Sequence, residues 1–265
     1  MIGIDTCVPL SVVVPIKDET DVLKFSLPSI YALQPDEVVI PIEPSPEGIK
    51  MVERIARKCG YQRKTRIIVL HEKTPDWRFR QAYARRKGFH EARNDLILTA
   101  DADIIVDTKI KNYFNLVGKG DIRLVSFSKF PYPVSARMMI AWLIQRLRPW
   151  RMRRGFTGLY VFSKSAWLET EDAESLKKML RGEDSHLDEA LIRKYGHVFV
   201  AGVKNVVLRP AESWRYQYLM GAGKWLTRKT PLWKVLRDTF LYFRPWMFIG
   251  YMKTRFGESI DAQSS

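Results

Sequence analysis

The stretch Ile97-Leu98-Thr99-Ala100-Asp101-Ala102-Asp103-Ile104-Ile105-Val106 is an apolar run broken by two carboxylates with one residue between them. Read as an extended strand, it points side chains i and i+2 the same way. Asp101 and Asp103 would then leave the strand end on one face. Two close carboxylates with no basic neighbour repel each other unless a cation lies between them. Hard divalent cations such as Mg²⁺ and Mn²⁺ take oxygen ligands of this kind and keep substrate phosphates as further ligands. The pattern suggests a metal–diphosphate site. A strand followed by a turn is the plainer alternative, since Asp is common at turns and helix caps.

Working outward, Val8–Ile16 (VPLSVVVPI) is short, β-branched and nearly uncharged, which predicts a strand buried on both faces. A helix is expected over Thr20–Leu33, capped by Asp18 or Thr20. Glu37–Ile42 (EVVIPI) predicts a second strand, with Pro41 pushing its end to an edge or turn. Ile49–Cys59 predicts a helix, Thr65–Leu70 a strand, Phe79–Ala92 a helix and Asp95–Ala100 the strand that carries the carboxylate pair. Further strands are expected at Ile122–Phe127, Gly158–Phe162 and Val198–Leu208, and a helix at Leu187–Tyr195. Strands alternating with helices imply an α/β fold with a mostly parallel sheet. Ligands of such sheets bind outside the carboxyl ends of the strands, where Asp101 and Asp103 would stand. From about Pro210 the composition changes, so residues 1–208 are expected as the catalytic domain and 209–265 as a helical extension.

The charge balance is unusual, with 44 Lys and Arg against 29 Asp and Glu. That excess suits an anionic partner: a phosphate-bearing substrate, a membrane surface or nucleic acid. Cys7 and Cys59 form neither a metal-ligand spacing nor a disulfide framework, which fits a reducing compartment. Neither a secretory signal nor a spanning helix is expected. These features together predict a cytoplasmic protein, peripheral at the inner face of the cell membrane.

Five motifs in order resemble the large family 2 of inverting nucleotide-sugar glycosyltransferases with the GT-A fold. SVVVPIKDE (11–19) is similar to the family's opening strand, and EVVIPIEPSPEG (37–48) to its second. ARRKGFHEARNDLILTADAD (84–103) follows its Ala-Arg-Asn-x-Gly helix leading into Asp-x-Asp. GFTGLYVFSKSAW (155–167) resembles its acceptor-side strand, and GEDSHLDEAL (182–191) its Glu-Asp-x-x-Leu motif. The resemblance covers roughly residues 11–195 and implies a Rossmann-like GT-A domain. By the same resemblance, Pro15 and Glu19 would stand beside the nucleoside, and Glu43 would replace the second-strand Asp that accepts from the base. Ile42 and Pro44 depart from that motif. Glu19 is equally a helix-start carboxylate favoured by the macrodipole.

Arg85 matches the Arg of the family helix and would reach the donor diphosphate, a task suited to its fork of donors. Arg80, Arg86 and Lys87 lie close by. Asp101 and Asp103 would frame Mn²⁺ or Mg²⁺. The resemblance makes Asp103 the direct ligand, while Asp101 more often holds ribose or bound water. Ile105 stands where some relatives add a polar ligand, which leaves His186 and His197 as candidates. Asp184 aligns with the catalytic base, although Glu183, Asp184 and Ser185 also suit a helix start. Gly158, Glu183 and Trp225 are expected on the acceptor side.

Gly221-Ala222-Gly223-Lys224-Trp225 lacks the first Gly and the final Ser/Thr of a phosphate-binding loop, and no G-x-G-x-x-G follows the first strand. The segment Val134–Trp150 combines apolar residues near helical spacing with several arginines. From Lys204 to Arg255 there are eleven Lys and Arg against Glu212 and Asp238, interleaved with Trp214, Trp225, Trp233 and Trp246. Such makeup is that of interfacial helices on anionic lipid. It also suits nucleic acid, though no recognised nucleic-acid motif accompanies it. The expected activity is sugar transfer of hexosyltransferase type, from a nucleotide-diphosphate donor to a lipid-linked or membrane-proximal glycan. A polyprenyl-phosphate glycosyl synthase, in which Asp184 need not act as base, is the alternative. A basic nucleic-acid-binding protein is the second.

Overall fold

A computed structural model describes residues 8–16, 20–70, 80–119, 121–132, 158–170, 191, 194–208, 214–226, 230–242 and 244–257. Glu19, Glu183, Asp184, His186 and the segment 134–157 lie outside them. Of the helix expected at 187–195, Leu191, Lys194 and Tyr195 are described, and each is helical.

Eight strands form one sheet: β1 (Leu10–Val13), β2 (Glu37–Ile42), β3 (Thr65–Val69), β4 (Leu96–Ala100), β5 (Ile104–Ile105), β6 (Leu124–Tyr132), β7 (Leu159–Ser163) and β8 (Val198–Leu208). Their order is β3-β2-β1-β4-β7-β6-β8-β5. The half built from β3, β2, β1 and β4 is parallel, while β7 runs antiparallel to both β4 and β6. The described helices here are α1 (Thr20–Tyr31), α2 (Pro46–Lys58), α3 (Arg80–Glu91) and the short α4 (Lys164–Thr170). Ser45 starts α2 earlier than apolar periodicity suggests. Its hydroxyl accepts from the Gly48 amide at 3.1 Å, and Pro46 occupies the first turn.

Alternation along the strands divides the core. Val12, Val14, Leu96, Leu98 and Ala100 pack with Leu23, Leu27 and Ile30 of α1 and Val52 and Ile55 of α2. Val13, Val39 and Ile97 point the other way, onto Phe89 of α3 and Trp167 of α4. Residues on both faces are removed from water, which is why these strands read as continuous apolar runs.

Pro41 corrects an expectation. It lies inside β2, an inner strand whose six residues are all buried. Its carbonyl accepts from the Ile16 amide at 2.9 Å, so its nitrogen also faces β1. The regular β1 ladder stops at Val13, and pairing resumes past the missing N–H, where Ile16 bridges Ile42.

The chain divides into two compact units, residues 1–130 with 150–208 and residues 131–149 with 209–265. In the second, α5 (Trp214–Leu226), α6 (Leu232–Tyr242) and α7 (Pro245–Arg255) are described. Here α5 and α7 touch backbone to backbone. A Cβ on Gly221 would lie 1.8 Å from the Met247 carbonyl oxygen, and one on Gly250 would lie 2.0 Å from that of Tyr218. Gly221 thus serves helix packing. Among the described residues, no helix is long and apolar enough to cross a membrane.

Candidate functional site

Helix α3 approaches the sheet at Gly88, where a Cβ would lie 2.4 Å from Val13 Cγ1 and 2.9 Å from Pro41 Cγ. Only a glycine permits that approach, and Ala84 is buried one turn earlier. The close packing delivers Arg85 to the carboxyl end of β4. Its guanidinium donates to the Asp101 carboxylate, with Arg85 3% and Asp101 6% exposed. A charge-assisted bond that far from water is stronger than its surface counterpart.

Asp101 and Asp103 are not carried on an extended strand. β4 ends at Ala100, and the Ile104 amide donates to the Asp101 carbonyl at 3.1 Å, closing a turn. This corrects the geometric reason for pairing them, since a turn sets their directions where the two-residue strand period does not. The turn is pinned on both sides. The Asp101 amide donates to the Gly158 carbonyl at 2.8 Å, and the Leu208 amide donates to the Asp103 carbonyl at 2.7 Å. Asp103 is buried as well.

Gly158 has φ +102°, a conformation that disfavours any side chain. A Cβ there would stand 2.1 Å from Asp101 Oδ2 and 2.8 Å from Lys129 Nζ. The missing side chain leaves the gap across which Lys129 and Asp101 face each other. Sequence reading overlooked Lys129. The strand expected at Ile122–Phe127 stops short of it, whereas β6 runs on to Tyr132 and neighbours β7. Behind it, the Asn205 side-chain amide donates to the Ser128 carbonyl at 2.9 Å, and its oxygen accepts from the Asp107 amide at 2.9 Å. Asn205 is fully buried and ties β6, β8 and the segment after β5 together.

Asp107 opens a 3₁₀ helix, Thr108–Leu116, and accepts from the amides of Lys109 at 3.0 Å and Lys204 at 2.9 Å. Desolvation raises its pKa. The two amides and the ammonium groups of the same lysines outweigh that and hold the carboxyl below its ordinary range.

Pro15 is buried just past β1, and the Glu43 amide donates to the neighbouring Ile16 carbonyl at 3.2 Å, so both stand at the carboxyl ends of their strands. His197 Nε2 lies 2.6 Å from Ser126 Oγ, on a residue that pairs with Tyr160 inside the sheet. Trp225 belongs to the second unit, where it packs edge-on against Tyr251 at 5.8 Å with the Arg255 guanidinium 5.2 Å from its ring.

No group of three or more His, Cys, Asp or Glu side chains suited to a metal occurs among the described residues. The donor set fits a divalent cation that draws its remaining ligands from a diphosphate. Asp101 and Asp103 offer hard oxygens on a pinned turn, beside the cationic groups of Arg85 and Lys129.

Residues 11–135 match Glycosyl transferase family 2. No curated protein matches the chain. Among solved structures, it is similar to the mannosyltransferase PcManGT from Pyrobaculum calidifontis, in complex with GDP-Man and Mn²⁺. The identity is 15%, with 95% of this chain and 76% of that one covered at a TM-score of 0.61. Glucosyl-3-phosphoglycerate synthase from Mycobacterium tuberculosis, with Mn²⁺, UDP-glucose and glycerol 3-phosphate, is similar at 15% identity, 84% and 81% coverage and TM-score 0.53. Mannosyl-3-phosphoglycerate synthase from Rubrobacter xylanophilus follows at 14% identity, 88% and 76% coverage and TM-score 0.52. The buried arginine–aspartate pair and its turn lie inside residues 11–135, the segment that matches Glycosyl transferase family 2, and the fold is the GT-A fold shared with those solved structures.

Proposed function

We propose that the protein transfers a sugar, with inversion, from a nucleotide-diphosphate donor to a lipid-linked or membrane-proximal glycan. The observation that carries this reading is the buried Arg85–Asp101 pair beside Asp103 at the carboxyl end of β4. Arg85 and Lys129 would receive the diphosphate. Asp103 would hold Mn²⁺ or Mg²⁺, and Asp101, already bonded to Arg85, would orient the ribose side. A bound cation there supplies electrostatic stabilisation of charge developing on the leaving nucleotide. Pro15, Glu19 and Glu43 would flank the nucleoside. Asp184 would take the acceptor hydroxyl's proton as that oxygen attacks the anomeric carbon and the bond to the diphosphate breaks. Gly158, Glu183 and Trp225 are assigned to the acceptor side. We further assign residues 1–208 to catalysis and 209–265 to a peripheral attachment at the inner face of the membrane.

A second reading, transfer to a phosphate-bearing acceptor, draws support from Lys129 beside the turn and from the structurally similar synthase bound to glycerol 3-phosphate. A polyprenyl phosphate is one acceptor of that kind, and on it Asp184 is not needed as base.

The test is a thermal-shift panel of UDP, GDP, dTDP and CDP sugars, with and without Mn²⁺, on wild type and Asp103→Ala. A ligand that binds only the folded protein raises the midpoint by mass action. The expected result is a metal-dependent shift with one nucleotide that is lost in Asp103→Ala. No shift with any donor overturns the reading. Transfer to a polyprenyl phosphate that survives Asp184→Asn selects the second acceptor class.

A further inference from the structure

Helix α6 turns Val235 fully inward and leaves Trp233 59% and Phe240 75% exposed. At 3.6 residues per turn, Trp233, Arg237 and Phe240 fall within about 60° of one another around the helix axis, with Lys234 flanking them. The Lys234 ammonium lies 5.5 Å and the Arg237 guanidinium 5.7 Å from the Trp233 ring. Asp238, the acid of this helix, is drawn aside. It accepts from Lys224 at 2.7 Å and from Arg237 at 2.8 Å, and is largely removed from solvent. The outer face therefore carries two large aromatic side chains and two cations. Single exposed apolar residues need no explanation. Two aromatics on one helix face, with cations against the ring between them, form an organised surface.

We propose that this face of α6 docks on an anionic lipid bilayer. Trp233 and Phe240 would bury their rings at the headgroup boundary while Lys234 and Arg237 meet lipid phosphates. Charge complementarity selects this occupant, since the chain from Lys204 to Arg255 carries eleven cations against two acids. The same unit also exposes the Trp214–Trp246 ring pair, 5.8 Å apart, and Phe256. The proposal deepens the membrane-proximal reading of the acceptor and rests on it for its purpose.

The test is co-sedimentation of the full chain with phosphatidylcholine vesicles, with and without phosphatidylglycerol, followed by Trp emission. Wild type should bind the anionic vesicles with a blue shift. The double variant Trp233→Ser/Phe240→Ser should bind at least roughly tenfold more weakly, since both buried apolar rings are lost. Lys234→Glu should weaken only the anionic preference. A donor-induced thermal shift on the same samples reports the sugar-nucleotide site independently, so loss of either property is read without the other. Wild type that ignores vesicles, or a double variant that binds them undiminished, overturns the proposal. So does salt-sensitive RNA or DNA binding, or self-association, that replaces vesicle binding and disappears in the double variant.

Discussion

Two buried carboxylates engage arginine at opposite ends of the same parallel sheet. At the amino end, Glu37 opens β2. Its Oε1 accepts from Ser11 Oγ at 2.6 Å and from the Arg93 amide, while the guanidinium groups of Arg66 and Arg93 approach its Oε2 at 3.9 Å. Ser11 Oγ in turn accepts from the Asn94 amide at 3.1 Å. One side chain thereby ties β1, β2 and the approach to β4. At the carboxyl end, Asp101 takes Arg85 from a helix side chain, and Asp103 follows on a pinned turn. Similar chemistry serves different ends because of where it stands. Carboxyl ends of parallel strands are the edge at which anionic ligands are bound, and the opposite edge is closed by the chain's own amides and hydroxyls.

Glu37→Ala is the harshest test of that contrast. It leaves Ser11 Oγ and the Arg93 amide without their acceptor, while the Arg66 guanidinium keeps its bonds to Glu91. Removing one partner of such a buried network costs about 3 kcal/mol. Denaturant unfolding should show that loss, while the folded fraction keeps the donor-induced thermal shift of wild type. A variant that folds and no longer responds to any donor would break the contrast between the two ends.

Gly158→Ala probes the carboxyl end with a smaller expected effect. The added methyl would meet Asp101 Oδ2 at 2.1 Å and Lys129 Nζ at 2.8 Å on a backbone with φ +102°. Strain of this kind costs about 1–3 kcal/mol. Asp101 and Lys129 must separate to relieve it, so donor affinity should fall about tenfold, read as a smaller thermal shift at fixed donor concentration. Lys129→Met should reproduce the loss of affinity without the loss of stability. Unchanged donor binding in both variants would detach Lys129 from the site.

Local pattern made much of this architecture legible. The run EVVIPI predicts a strand at Glu37–Ile42 and the structure places one there, while Val198–Leu208 is likewise a strand throughout. Both follow from apolar, β-branched composition, which needs no partner to be read. Pro41 misled because its effect depends on which neighbour its nitrogen faces, a tertiary fact. Asp101 and Asp103 stand out in the sequence as a carboxylate pair, but their geometry does not, since the Ile104 amide closes a turn that alternation does not encode. Lys129 stayed invisible because its meaning comes from β6 lying beside β7, and that order cannot be read from spacing. The roles of Asp184 and Glu19 rest on resemblance, since both lie outside the described residues.

Asp107 sharpens the comparison with the smallest effect. It follows Asp103 closely in the chain, yet both of its oxygens are taken by backbone amides, those of Lys109 and Lys204. By the logic of the two ends it should be structural, whatever its proximity in sequence. Asp107→Ala removes the cap of the 3₁₀ helix and should cost about 1 kcal/mol, with donor binding unchanged. Its pH dependence has a definite sign. Burial pushes this carboxyl up, the two amides and their lysines outweigh it, and the folded value lies below the unfolded one. A depressed pKa contributes stability that is present above the unfolded value and fades as pH falls through the folded one. The gap in midpoint between wild type and Asp107→Ala should therefore hold from neutral pH down to the ordinary carboxylate range and narrow below it. A gap that widened on acidification would mean that Asp107 is protonated more easily in the fold. Its two amide bonds would then not be what holds the segment after β5 in place.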